Sequence, residues 1–289
     1  MAELVGIFAA SHGPLIAREW ETMPRAHRDK LAAAFDEIGH RLKAARPDLL
    51  VVVSPDHWVN FFINNLPAVC IGIGDEHDGP PEPFMKKVYP HKVLKGHAAF
   101  GLHLLQTALD NDFEPALSHR LRLDHGSCIP LWRAGVPPDL PLVPILVNDL
   151  EAPMPSIRRC LAWGRLLRRA VESYPEPLRV AVLGTGGLSH SIGEATMGWI
   201  DEKFDQACIK HFQNGEEQAL DDFLTQALPQ TGNGAHEMRD WVIAHGAAGG
   251  TGFELIDYFP SPETLVGAGF ASWKLPANRA GSLNQRSRQ

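Results

Sequence analysis

The sequence predicts an α/β fold: a single domain with a mixed, largely parallel central sheet flanked by helices. Three observations carry this expectation. First, Leu4 to Ala10, Leu49 to Val53 and Pro141 to Val147 are continuous apolar runs, and Leu178 to Leu183 is apolar but for Arg179, the pattern of strands buried on both faces. Second, Leu31, Phe35, Ile38 and Leu42 recur at helical spacing between the first two runs, with Arg28, Lys30, Glu37 and Arg41 on other faces. An amphipathic helix there completes a strand–helix–strand unit and a parallel strand pair. Third, the 289 residues contain neither an internal repeat nor a linker-like stretch, so one domain is the simplest organisation.

Taken in order, the first strand candidate ends in the polar turn Ser11-His12-Gly13-Pro14, and the second ends in Ser54-Pro55-Asp56-His57. Pro67 to Ile73 is a third apolar run. Residues 74–92 are rich in glycine, proline and charge and predict a long loop, a class of segment that is often functional. A helix is expected over about 94–111, then a short strand from Phe113 to Ser118 leading to Leu123-Asp124-His125-Gly126. The Pro141 to Val147 strand is followed by a basic-faced helix from Ile157 to Tyr174. The strand from Leu178 to Leu183 runs into Gly184-Thr185-Gly186-Gly187-Leu188-Ser189-His190. Residues 199–228 and 235–248 predict helices, and Leu255 to Phe259 and Leu265 to Ala271 predict late strands. Residues 276–289 are polar, with Arg279, Arg286 and Arg288, and predict a disordered tail, which leaves 1–275 as the folded domain.

Composition excludes several function classes. A formal net charge of −7 argues against nucleic acid or an anionic membrane as the main partner. No run of 18 apolar residues exists, so no transmembrane helix is expected. The apolar stretch after Glu3 lacks a basic leader, so no signal peptide is expected and a cytoplasmic location fits. Cys70, Cys128, Cys160 and Cys208 are far apart, which suggests neither a thiolate metal site nor a disulfide framework. The 14 histidines leave room for a histidine-rich site.

Four predicted strand ends each deliver a histidine: His12, His57, His125 and His190. A lone histidine at a strand end is most often structural. Four of them, each beside Gly or Pro, fall where the ligand crevices of α/β sheets form. Neutral imidazoles holding a metal need a carboxylate beside them, and the candidate is Glu237, in the first turn of the predicted 235–248 helix. Its bland alternative is a helix-start acid complementing the helix dipole. His236 points about 100° away from Glu237 on a helix and does not share its role. Two His and one carboxylate suit Fe(II) or zinc. The zinc-protease pattern His-Glu-x-x-His is absent, because position 240 is Asp. The glycine-rich turn fails the dinucleotide fingerprint at Ser189 and has no Walker lysine, and 187–191 fails the nucleophile-elbow pattern at Ser191. Asp56, next to His57, is a candidate acceptor for fixing an imidazole.

These motifs in this order, together with His236-Glu237-Met238-Arg239-Asp240-Trp241, resemble the class III extradiol ring-cleavage dioxygenases over about residues 4–273. The resemblance implies Fe(2+) held by His12, His57 and Glu237, with His190 as the acid–base residue beside the substrate and His125 as the proton donor. It implies extradiol (meta) cleavage of a catecholic aromatic acid of the protocatechuate, gallate, O-methylgallate or dihydroxyphenylpropionate type, with both atoms of O2 entering the product. Two alternatives stay open: a zinc-dependent enzyme, or a non-catalytic metal-binding member of the same fold. The loop at 74–92, with Arg120 and Arg122, is a candidate for reading ring substituents. Some relatives carry a small helical subunit over the site. Only a polar tail follows residue 273 here, so a homo-oligomer is expected, with a separate small subunit as the alternative cover.

Overall fold

A computed structural model describes residues 1–275, and the tail expected at 276–289 lies outside the described residues. Among the described residues ten strands form: β1 Glu3–Ala10, β2 Leu49–Pro55, β3 Val69–Gly72, β4 Glu76–Asp78, β5 Val93–Lys95, β6 Ala116–Ser118, β7 Leu142–Val147, β8 Arg179–Thr185, β9 Phe253–Ser261 and β10 Val266–Trp273. Eight of them make one sheet in the order β6-β3-β7-β2-β8-β1-β10-β9, and β4 and β5 form a separate antiparallel pair. The centre of the sheet, β7-β2-β8-β1, is parallel. It turns antiparallel at β3 against β7 on one side and at β10 and β9 on the other. The α/β fold with a mixed, largely parallel sheet is therefore the observed architecture.

Eight helices flank the sheet: α1 Leu15–Arg18, α2 Arg25–Ala45, α3 Ala98–Leu109, α4 His125–Arg133, α5 Ile157–Ser173, α6 Glu202–Asn214, α7 Glu217–Ala227 and α8 Met238–Ala248. The apolar run of β2 shows how the layers are specified. Leu49, Val51 and Val53 enter the core with Phe100 of α3, Leu167 of α5 and Trp241 of α8. Leu50 and Val52 enter the opposite core with Phe35 and Ile38 of α2 and Ile129 of α4. Successive side chains of a strand point to opposite faces, so a strand covered on both sides must be apolar throughout.

Four local expectations change. The segment 74–92 holds β4 and a 3-10 turn at Pro83–Lys87. The helix expected from about 94 begins at Ala98, because Val93–Lys95 pairs with Glu76–Asp78, and the His97 ring accepts the Phe100 N–H as its cap. The single helix expected over 199–228 is two, broken at Gly215, whose φ of 71° closes α6 in the left-handed region. Finally, His125 does not follow a strand directly. Asp124 caps α4 by accepting the Gly126 N–H, and His125 opens that helix.

Candidate active site

The carboxyl ends of β1, β2 and β8, which lie side by side, deliver His12, His57 and the turn to His190 to one edge of the sheet. The start of α4 brings His125, and a 3-10 turn at Asn233–Glu237, leading into α8, brings Glu237. All five line one cavity of ≈ 290 Å³. A larger cavity of ≈ 480 Å³ lies at the opposite edge, where Arg46 and Pro47 precede β2 and Leu140 precedes β7. Ligand crevices in open α/β sheets form at the carboxyl ends, so the smaller cavity is the candidate site.

Glu237 Oε1 is the meeting point. It lies 3.3 Å from His12 Nε2, 3.4 Å from His57 Nε2 and 3.7 Å from His190 Nε2. Its other oxygen, Oε2, accepts the Gly187 N–H at 2.8 Å. Gly186 makes this approach possible: its φ is 90°, and a Cβ there would stand 2.7 Å from both Cβ and Oε2 of Glu237. Behind the two ligand candidates, His12 Nδ1 is 3.2 Å from Thr185 Oγ1 and His57 Nδ1 is 3.2 Å from Asp124 Oδ2. Each ring is thus held through Nδ1 with Nε2 turned towards Glu237.

The charges are strongly coupled. Burial alone would push the Glu237 carboxyl up, but His12 and His190 outweigh it and hold Glu237 well below the usual range. Burial also disfavours charge on His57, yet Asp124 and Glu237 lift it well above the ordinary histidine value. At His12 burial wins over Glu237, and its pKa is lowered. Two imidazole nitrogens and one carboxylate oxygen that crowd in this way without a hydrogen bond at His12 Nε2 fit a cation between them. Ligands about 2.1 Å from an ion sit roughly 3.0–3.5 Å apart, the spacing found here. A second grouping, His12–His57–His125, also lies within 4.8 Å. Its rings converge less well: His125 stacks on His57 at 4.1 Å and 32°, and its Nδ1 is engaged by Glu82 at 2.8 Å. Glu237 Oε1, within 3.4 Å of Nε2 of both His12 and His57, is the candidate third ligand.

Several expectations need correction. Asp56 does not fix an imidazole. Its carboxylate accepts the backbone N–H groups of Val59, Asn60 and Phe61 and shapes the loop after His57. Asp124 does the orienting instead. Arg120 is committed to Asp78 through a two-point fork and to Glu76, and neither it nor Arg122 lines the cavity. His236 accepts from Arg239 and stays outside the cluster, as its position on the helix predicts. Reasoning from sequence missed Glu82, which stands behind His125, and Asp149, whose buried carboxyl lies against that of Asp240. Glu82 lies in Pro80-Pro81-Glu82-Pro83, a context with no pattern that would have singled it out.

A His/Glu cluster at the carboxyl edge of a mixed α/β sheet offers a place for a metal ion, and the comparisons with known proteins give the class. The family model for the catalytic LigB subunit of aromatic ring-opening dioxygenase matches residues 6–269. The chain belongs to this family and is a ring-cleaving dioxygenase. Among its relatives, a 2,3-dihydroxyphenylpropionate/2,3-dihydroxicinnamic acid 1,2-dioxygenase of Paraburkholderia phymatum is 27% identical, covering 89% of this chain and 90% of the relative. A gallate dioxygenase of Pseudomonas putida is 33% identical over 155 residues, which is 52% of this chain and 45% of the relative. A solved structure of an uncharacterized Escherichia coli protein shares the fold, with a TM-score of 0.63 at 14% identity, covering 93% of this chain and all of that one. Among the described residues, no helix is long and apolar enough to cross a membrane.

Proposed function

We propose that the chain is an Fe(II)-dependent extradiol dioxygenase that opens a catecholic aromatic acid, with the metal held by His12, His57 and Glu237. The observation that carries this reading is the convergence of His12 Nε2 and His57 Nε2 on Glu237 Oε1 at 3.3 and 3.4 Å. Bound there, ferrous iron supplies Lewis acidity towards the catechol hydroxyls and a path for electrons from the ring to O2. The relatives named for dihydroxyphenylpropionate and gallate support a catecholic substrate.

The chain's own residues then divide the work. His190 Nδ1–H donates to the Leu188 carbonyl at 3.0 Å, which leaves the Nε2 lone pair facing the cavity to take a catechol hydroxyl proton. His125 faces the same cavity from α4 and is the donor that returns a proton to the opening ring. Trp58, Leu150, Ile192 and Val266 wall the cavity and exclude water around the ring. The folded domain at 1–275 is the catalytic unit. A second copy of the chain is the proposed cover, supported by exposed Trp58 and Ile192 at the mouth and exposed Phe62, Ile63, Met197 and Trp199 in the same two segments.

The test is metal analysis of protein purified without oxygen, followed by a catechol panel under controlled O2. A yellow ring-opened product with iron bound supports the reading. Activity with zinc and not iron selects the zinc-dependent alternative, to which two His and one Glu are equally open. Iron bound with every catechol inert would sink catalysis.

A further inference from the structure

Segment 79–92 is a closed excursion with a purpose at its tip. Gly79 N–H donates to the Lys92 carbonyl at 2.7 Å and shuts its base, and fully buried Met85 pins its middle into the core beside α4. Glu82 sits just before the 3-10 turn that Met85 anchors. Its Oε1 accepts two donors from one residue: the His125 backbone N–H at 2.9 Å and the His125 Nδ1–H at 2.8 Å. Its Oε2 is buried and has no hydrogen-bond partner. The other imidazole over the cavity is held differently, since His190 Nδ1 faces only the neutral carbonyl of Leu188.

We propose that Glu82 is a positioning residue for the ring-opening reaction, holding the His125 imidazole with Nε2 in the cavity. This rests on the proposed function above and adds to it the group that fixes the ring of the proposed proton donor. A carboxylate accepts an Nδ1–H strongly, so it fixes both the tautomer and the orientation of the ring, more firmly than a peptide carbonyl does. The backbone bond matters as well. With both the His125 N–H and its Nδ1–H tied to one oxygen, the ring is held against rotation about its own side-chain bonds, and it stays stacked on His57. The proton His125 gives up is regained from solvent, and the proton His190 takes is returned to it, so the two transfers cancel over a turnover.

The test compares wild type with Glu82→Gln, Glu82→Asp, His125→Ala and the Glu82→Gln/His125→Ala double variant, all checked for thermal stability and metal content. Glutamine keeps the acceptor and the volume and removes the charge. The expected result for E82Q is a ~10–100-fold fall in kcat with KM and metal content little changed, part of which E82D restores. In the His125→Ala background, E82Q should add no further loss, because the two residues act as one unit. In histidine-labelled protein loaded with diamagnetic zinc, the His125 Nδ1–H resonance should shift in E82Q while the His190 resonances stay in place. The proposal is overturned if E82Q costs the same factor with and without His125, if it raises KM alone, or if the His125 resonance does not move. Should wild type open no ring at all, the functional reading fails, and the resonance comparison still decides the part played by Glu82.

Discussion

Gly234 has no side chain because the His190 imidazole occupies its place: a Cβ built on Gly234 would overlap His190 Nε2, Cδ2 and Cε1. The two residues are also tied through the backbone, Gly234 N–H donating to the His190 carbonyl at 3.1 Å. The turn before α8 therefore sets the ring position of the proposed base as well as the position of Glu237. Gly234→Ala should displace the ring from its bond to Leu188 and lower kcat on the order of 10²-fold while iron content holds, since a misplacement of about 1 Å is enough for that loss. Steady-state kinetics beside metal analysis check this, and an alanine variant with wild-type kcat would show that His190 is not where the reaction needs it.

The proposed ligand set predicts a split among five variants. His12→Ala, His57→Ala and Glu237→Ala should each fail to retain iron after a chelator challenge, whereas His125→Ala and His190→Ala should keep it and lose turnover. Asp124→Asn, which takes the carboxylate away from His57 Nδ1, should weaken metal binding ~10–100-fold. Loss of metal in His125→Ala with retention in Glu237→Ala would select the competing three-histidine grouping.

The buried carboxyl pair predicts a pH-dependent stability. Burial pushes Asp149 up to about 7, and burial together with Asp149 pushes Asp240 well up; neither finds an N–H or O–H donor outside the pair among the described residues. The folded chain thus holds more protons than the unfolded chain between about pH 4 and pH 7, and the linked stability is lost as pH rises through that window. Asp240→Asn removes the shared proton and should stabilise the metal-free protein by about 1–3 kcal/mol at pH 8, with little gain at pH 4. The buried neutral His77 and His245, each lowered by burial to about 4, work in the opposite direction and lose stability as pH falls below the ordinary histidine value. Chemical unfolding across pH reads both slopes. An Asp240→Asn variant with an unaltered profile would remove the pair from the account.

Asp56 predicts a substrate-binding effect. Its carboxylate accepts from Val59, Asn60 and Phe61 and from the Asn60 side chain, and these bonds hold Trp58 at a φ of 58°, a conformation a bulky residue rarely adopts. Asp56→Ala strands those donors and should cost roughly 2–3 kcal/mol of stability. It should also let Trp58 leave the cavity wall, raising KM more than it lowers kcat. Equal KM values in variant and wild type would show that Trp58 does not contact substrate.

Much of the scaffold was legible in the sequence because its signals are local. The run Leu49-Leu50-Val51-Val52-Val53 must be covered on both faces, and a proline-bounded turn at its end announces the sheet edge where His57 emerges. The same logic located His12 and His190. What local signals could not decide were choices between neighbours made by distant contacts. Asp56 and Asp124 are both acids beside a site histidine, but Asp56 is satisfied within its own loop and only Asp124 reaches across to His57. The Glu82–His125 pair spans 43 positions and has no spacing rule behind it. Arg120 read as a candidate for reading ring substituents because β4, which carries its partners Glu76 and Asp78, lay hidden in a stretch of loop-like composition.

The position of the cluster in the sheet has one more result. His12 and Thr185 are 173 residues apart in sequence, and the strands that carry them pair only after most of the chain has been made. An ion held as proposed, by the ends of β1 and β2 and the turn before α8, would therefore act as a clasp across the whole topology. A ligand that binds only the assembled state stabilises it by about 2.7 kcal/mol at a hundred times its dissociation constant. If the proposed ligand set holds, removing the metal should therefore lower the stability of the folded chain as well as its turnover, which thermal unfolding with and without a chelator checks.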